Sequence, residues 1–277
     1  MRPWYKYILN YENTMRFLPK DETYSLQEKT IGYDLDDGYK SKEDFFKTHF
    51  YNGHPRLKHY HDYLKQNLKK GHEILSIGSG RCVNELLLIE DGFNIICSDL
   101  EQPCREKTLS LFPNLKFVKY DIISSSFEYK VDCIISLSIF YLFDENELLM
   151  IFKNIAKNLK PGGRFIFDPG GAVDSFVTYL NDEIIYKFET NFIWMIQKLR
   201  RRKCAVIKKH QGYRSKNDEI TSVAKKAGFA LSKIECFDYS TEIKKRSILL
   251  GKFPDKIINT IGRFIPYVRM FTFVKNQ

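Results

Sequence analysis

Short apolar runs alternate with segments of helical periodicity from residue 57 to residue 237, and this rhythm predicts the layout of the chain. Residues 57–68 have the spacing of a helix packed on a sheet. Strands are expected at 73–78, 93–99, 115–121, 131–137 and 164–168, each a short apolar run bounded by turn-forming or acidic residues. Helices are expected between them, at about 82–91, 101–112 and 144–159. Pro113-Asn114 and Pro161-Gly162-Gly163 supply breaks. Strand–helix alternation predicts an α/β fold, a parallel sheet with helices on both faces. Further on, Asp174 is placed to cap a helix through about residue 188. Residues 192–207 mix Trp194 and Met195 with Arg200-Arg201-Arg202-Lys203 and fit either a strand hairpin or a helix. Residues 215–227 read as a helix with acids early, lysines late and Gly228 at its end. A sixth strand is expected at 229–237 and a seventh, antiparallel, at 246–250. After Pro254, Ile257, Ile258, Ile261, Phe264 and Ile265 form a helical stripe.

The first predicted strand runs into Gly78-Ser79-Gly80, and helix follows from Val83. Glycine permits a tight turn there and lets the backbone approach a ligand with no Cβ in the way. Asp99 ends the second strand, 21 residues after Gly78, where a carboxylate meets the ribose of a bound nucleoside. Asp121 ends the third strand, and Asp168 the fifth. A dinucleotide site would carry a third glycine at the sixth position of the loop, which here is Val83.

The ordered set ILSIGSG, CSDLE, VKYDI, DCIISLSIF and LKPGGRFIFD resembles the class I S-adenosylmethionine-dependent methyltransferases over roughly residues 60–169, continuing through 215–250. The resemblance implies a seven-stranded, mostly parallel Rossmann-like sheet with a helical N-terminal cover. It divides the chain into a cover at 1–59, a core at 60–169 and 214–251, an insertion at 170–213 lining the acceptor site, and a basic amphipathic extension at 252–277. It further implies that Gly78, Ser79 and Gly80 contact the methionine part of S-adenosylmethionine. Asp99 and Leu100 would meet the ribose, Asp121 and Ile122 the adenine, and Ser136 and Leu137 the sulfonium side. The family loop often has glycine where this chain has Cys82, a departure that would narrow the pocket.

Methyl transfer needs an aligned acceptor, a dry site and, for a hydroxyl acceptor, a base. Hydroxyl-methylating relatives often carry Glu-His after the fourth strand, where this chain has Tyr141-Leu142. The remaining base candidates are His54, Asp168, Tyr141 and His49, with His54 and Asp168 the preferred pair. Tyr51 and Arg56 are candidate substrate contacts. The Asp/Asn-Pro-Pro-aromatic loop of amino-methylating nucleic-acid enzymes is absent after the fourth strand. The favoured activity is methylation of a small molecule or sugar-type acceptor, at oxygen. The alternatives are an RNA or other nucleic-acid methyltransferase and a non-catalytic, cofactor-binding regulatory subunit.

The net charge of +10 resides in two segments. Residues 198–210 hold seven Lys/Arg and no acid, and residues 244–277 hold eight against Asp255 alone. Such segments favour anionic partners and suggest peripheral contact with an anionic membrane surface, with nucleic acid a lesser candidate. The six cysteines form no CxxC pair, which points to a reducing cytoplasm with no disulfides and no metal site.

Overall fold

The computed structural model describes residues 1–11, 39–53, 56–101, 106–124, 127, 129–173, 179–236, 254, 256–257 and 269–276. Five strands alternate with helices along the first part of the core. They are β2 (Glu73–Ile77), β3 (Asn94–Asp99), β4 (Lys116–Lys119), β5 (Val131–Ser136) and β6 (Leu159–Phe167). All five pair in parallel, in the order β4-β3-β2-β5-β6. The chain steps outward from β2 to β4 and then returns to the other side of β2. The crevice between the ends of β2 and β5 is therefore the switch point where open α/β sheets bind ligands.

Two further strands complete the sheet. β8 (Phe229–Cys236) is the predicted sixth strand. The seventh, β9 (Arg269–Lys275), lies between β6 and β8 and is antiparallel to both. The strand expected at 246–250 falls outside the described residues. The expectation of a peripheral extension over 252–277 is corrected for β9: its residues from Arg269 to Thr272 and Phe273 are buried in the sheet. Met-Phe-Thr-Phe alternates between faces, which a strand packed on both sides requires.

The strands are apolar throughout because both faces are covered. On one face Ile74, Ile95, Cys97, Cys133, Ile135, Ile166 and Met270 pack with Tyr60, Tyr63 and Leu64 of α2 (Arg56–Asn67) and Leu86 of α3 (Val83–Glu90). On the other, Leu75, Ile134, Phe165, Phe167, Phe271 and Phe273 pack with Phe152 of α5 (Glu145–Asn158) and Val223 of α7 (Asn217–Lys226). Each buried Phe contributes about 1.5–3 kcal/mol of transfer free energy, and the ring contacts around Phe152 add to it. Two short helices complete the set: α1 (Lys42–Phe46), capped by Ser41 and continued as a π turn to Tyr51, and α4 (Glu106–Leu111).

Within the segment expected to form an N-terminal cover, residues 42–51 are helical and α2 begins at Arg56. The first part of that segment is instead a strand, β1 (Arg2–Tyr11), paired antiparallel with β7 (Cys204–Arg214) as a separate two-stranded ribbon. Segment 192–207 resolves into the second half of α6 (Tyr186–Leu199) followed by the start of β7. α6 crosses the ribbon: Thr190 Oγ1 donates to the Tyr7 carbonyl at 2.8 Å and Trp194 Nε1 to the Cys204 carbonyl at 3.1 Å. Asp174 lies outside the described residues.

Candidate active site

The glycine loop turns sharply at the end of β2. Gly78 has φ +65° and Gly80 φ +50°. A Cβ on Gly78 would lie 2.7 Å from Ile139 Cδ1, so that position is constrained by backbone conformation and by space. Cys82 has φ +55°, the left-handed conformation that glycine adopts freely. Its side chain is fully buried in the core below the loop, with Sγ 3.5 Å from Ser79 Oγ. The expected narrowing of the pocket by Cys82 does not follow, because the thiol is turned into the protein.

Ser79 ties the loop to β3: its N–H and its hydroxyl both donate to the Ser98 carbonyl, at 3.0 and 3.1 Å. Asp99 closes the other side. Its two oxygens accept from Gly80 N–H at 2.9 Å and Leu100 N–H at 2.8 Å. A carboxylate has about four acceptor positions, so capacity remains for a pair of hydroxyls. Leu100 stands exposed beside it. Beneath the loop, Glu85 is buried and accepts from Ser76 Oγ at 2.7 Å. Burial raises its carboxyl above the usual carboxylate range, and the Ser76 hydrogen bond offsets part of the effect.

Asp121 turns back on its own chain, accepting from Ile123 N–H at 2.9 Å and from the Ser124 hydroxyl. Burial acts to raise its carboxyl, but these hydrogen bonds outweigh it and hold the group below its ordinary range. Ile122 is buried beside it. Ser136 is also buried, and its hydroxyl donates to the Ile77 carbonyl at 2.9 Å. That bond braces the two strands flanking the crevice. Leu137 follows, half-buried.

Asp168 sits at the end of β6, next to the end of β5: its N–H donates to the Ser136 carbonyl at 3.2 Å. Its carboxylate is buried, accepting from Gly170 N–H at 2.7 Å and from the Tyr60 hydroxyl. Tyr60 is within 3.2 Å of Ser138 Oγ as well. Burial, then the negative charge of Asp168, raise the Tyr60 hydroxyl well above its ordinary range, and the nearby Arg56 cation opposes this. Arg56 precedes Tyr60 by one helical turn on α2. Tyr141 lies under the ribbon, with Trp4 edge-on at 6.0 Å and the Arg214 guanidinium 3.6 Å from the Trp4 ring centre.

His49 is engaged on both nitrogens. The Arg81 guanidinium lies 3.2 Å from Nδ1, and Tyr39 bonds Nε2. A guanidinium only donates, so Nδ1 accepts and the ring is neutral with its lone pair in use. His49 therefore joins the cover to the glycine loop through Arg81. Tyr51 is exposed. His54 lies outside the described residues.

Tyr60, Ser138, Trp4 and Arg214 were not singled out from the sequence. Tyr60 had a signal, since it falls one helical turn after Arg56 on the face that meets the sheet. Trp4 and Arg214 had none, because their proximity depends on pairing between strands some 200 residues apart in sequence.

A family model for a methyltransferase domain matches residues 74–163. No curated protein sequence matches the chain significantly. Among solved structures, 1,6-didemethyltoxoflavin-N1-methyltransferase from Burkholderia thailandensis is similar at TM-score 0.55 and 12% identity, covering 100% of both chains. Magnesium protoporphyrin IX methyltransferase from Synechocystis PCC 6803 is similar at TM-score 0.53 and 14% identity, over 93% of this chain and 100% of that one. A protein from Pyrococcus horikoshii OT3 is similar at TM-score 0.52 and 16% identity, over 80% and 90%. Residues 74–163 thus match a methyltransferase domain, and the strand order with the glycine turn closed by Asp99 gives the chain the Rossmann-like fold of the methyltransferases it is similar to.

Proposed function

We propose that the enzyme methylates a small-molecule or sugar-type acceptor at a hydroxyl oxygen. The observation that carries this reading is the buried Asp168 carboxylate, at the end of the strand beside the crevice and within reach of Tyr60 and Ser138. S-adenosylmethionine, when bound, supplies an electrophilic methyl group. Gly78, Ser79 and Gly80 would hold its methionine part, Asp99 and Leu100 its ribose, Ile122 its adenine, and Leu137 the side toward the acceptor. Asp121 spends both oxygens on its own turn, so it shapes the adenine side chiefly through the backbone.

Asp168 would accept the acceptor's proton as the oxygen attacks. Gly170 N–H and the Tyr60 hydroxyl keep the carboxylate oriented. Tyr60, with its hydroxyl held protonated, serves as a donor and not as a base. Arg56 offers a cation at the same site for an anionic substituent on the acceptor. The ribbon, through Trp4, Tyr141 and Arg214, covers the site and excludes water. His54 stays a candidate partner of Asp168. Two of the similar structures named above are methyltransferases of 1,6-didemethyltoxoflavin and of magnesium protoporphyrin IX, which supports a small acceptor in kind. The lack of any CxxC pair in the sequence suits a reducing cytoplasm.

The test pairs two variants. Asp99→Ala should weaken S-adenosylhomocysteine binding by calorimetry about tenfold or more, as expected for loss of charge-assisted hydrogen bonds. Asp168→Asn should lower turnover on a panel of hydroxylated acceptors by about a hundredfold or more, with donor affinity retained. A wild type that transfers methyl to amines and ignores hydroxyls would overturn the oxygen assignment.

A further inference from the structure

Helix α6 presents an apolar stripe to solvent. Phe188, Phe192, Met195 and Leu199 are all exposed, Leu199 at 77%, and Ile184 continues the line one turn earlier. At about 100° per residue the four helical positions fall within an arc of about 60°. Phe188 and Phe192 stack on each other with ring centres 6.2 Å apart. The opposite side of the helix, with Thr190 and Trp194, is fixed to the β1–β7 ribbon. The stripe is thus the outer face of an anchored helix and not a surface awaiting the ribbon.

Charge surrounds it. Residues 186–209 hold eight Lys/Arg against Glu189 alone. Arg200, Arg201, Arg202 and Lys203, which immediately follow the stripe, are all exposed. Cations alone would suit any polyanion. Cations bordering a row of exposed phenylalanine, methionine and leucine match a surface that offers anionic head groups above acyl chains. A second copy of this chain would bring the two cationic segments together and repel.

We propose that α6 is a membrane-docking helix, lying in the interface of an anionic phospholipid bilayer with Phe188, Phe192, Met195 and Leu199 inserted and Arg200–Lys203 on the head groups. Docking there sets the ribbon over the active site against the lipid surface. The site for membrane contact therefore moves from the chain's C-terminal segment, whose Arg269 and Lys275 bond within the fold, to the insertion after β6.

Vesicle sedimentation tests this with phosphatidylcholine alone or mixed with phosphatidylglycerol. The wild type should pellet with mixed vesicles, lose binding in high salt, and ignore phosphatidylcholine. Phe188→Glu/Phe192→Glu should weaken vesicle binding about a hundredfold or more, as lost burial of two rings requires, and R200Q/R201Q/R202Q should weaken it comparably, at about 1 kcal/mol per cation. Both variants should keep the wild-type melting temperature and S-adenosylhomocysteine affinity. Three results would each overturn the proposal: no pelleting of wild type with the mixed vesicles at low salt, unchanged pelleting of the phenylalanine variant, or a concentration-dependent dimer in sedimentation velocity that this variant dissolves. Failure of donor binding in the wild type would count against the methyltransferase reading and leave the vesicle result standing by itself.

Discussion

At the residue scale, the site is made by carboxylates whose surroundings differ. Asp99 is half-satisfied by backbone N–H groups and keeps capacity for a ligand. Asp121 is satisfied by its own turn. Asp168 and Glu85 are buried, each with a hydroxyl partner. Glu85 carries a checkable pH dependence. Its carboxyl is raised in the folded state, so the unfolded chain releases the proton first as pH climbs. Stability is then lost as pH rises from the unfolded carboxylate pKa through the folded one. Glu85→Gln keeps an acceptor for Ser76 and has no such loss. The melting-temperature advantage of Glu85→Gln over wild type should therefore be small near pH 4 and grow toward pH 7. An advantage independent of pH would show that Glu85 is ionised at no extra cost in the fold. Cys82 illustrates how far a residue type can mislead: it holds the left-handed backbone conformation that glycine favours while its side chain fills core.

At the scale of elements, the ribbon is the unit proposed to cover the acceptor site. β7 approaches the turn of 3₁₀ helix at Phe140–Leu142 so closely that Gly212, at φ +133°, could not carry a side chain. A Cβ there would overlap the Tyr141 carbonyl oxygen, which is backbone and cannot step aside. Gly212→Ala should therefore push the ribbon off Tyr141 and reduce stability by about 1–3 kcal/mol. S-adenosylhomocysteine binding should persist, because the glycine loop is on β2 and makes no use of the ribbon. Turnover falling while donor affinity holds would confirm the division of labour, and a stable variant with normal turnover would refute it. Such a pairing is hidden in the sequence. β1 and β7 both mix aromatic and cationic residues with half-buried faces, so neither pattern names its partner.

Over the whole molecule, the chain end is tied to the centre. Arg269 is fully buried at the start of β9 and donates to the Gly170 carbonyl at 3.3 Å, to the Ser215 carbonyl at 3.2 Å and to Asn217 Oδ1. It gathers the loop after Asp168, the end of β7 and the start of α7 around one guanidinium. Tyr63 Oη, 2.9 Å from Thr272 Oγ1, adds a link from α2 to the same strand. Arg269→Met fits the volume but leaves several acceptors unpaired, which should cost about 3 kcal/mol or more. The denaturant midpoint should drop with little change in slope. An unchanged midpoint would mean that solvent reaches these carbonyls. In sequence, Arg269 counted as one of the cations of a basic extension, since burial of a guanidinium is invisible without its partners.

The sequence by itself determined the parallel sheet, its glycine turn and the acids at the strand ends. Each of these is local: a strand buried on both faces is apolar along its length, and a turn at positive φ selects glycine. Asp99 and Asp168 were legible because a carboxylate directly after an apolar strand is placed at the sheet's carboxyl edge by connectivity alone. Only the tertiary structure decided which residues oppose them. The pairing of residues 2–11 with 204–214, the insertion of β9 between β6 and β8, and the meeting of Tyr60 with Asp168 join segments far apart in the chain. Such contacts are fixed by shape and hydrogen-bond satisfaction across the whole core, for which no single segment carries a pattern.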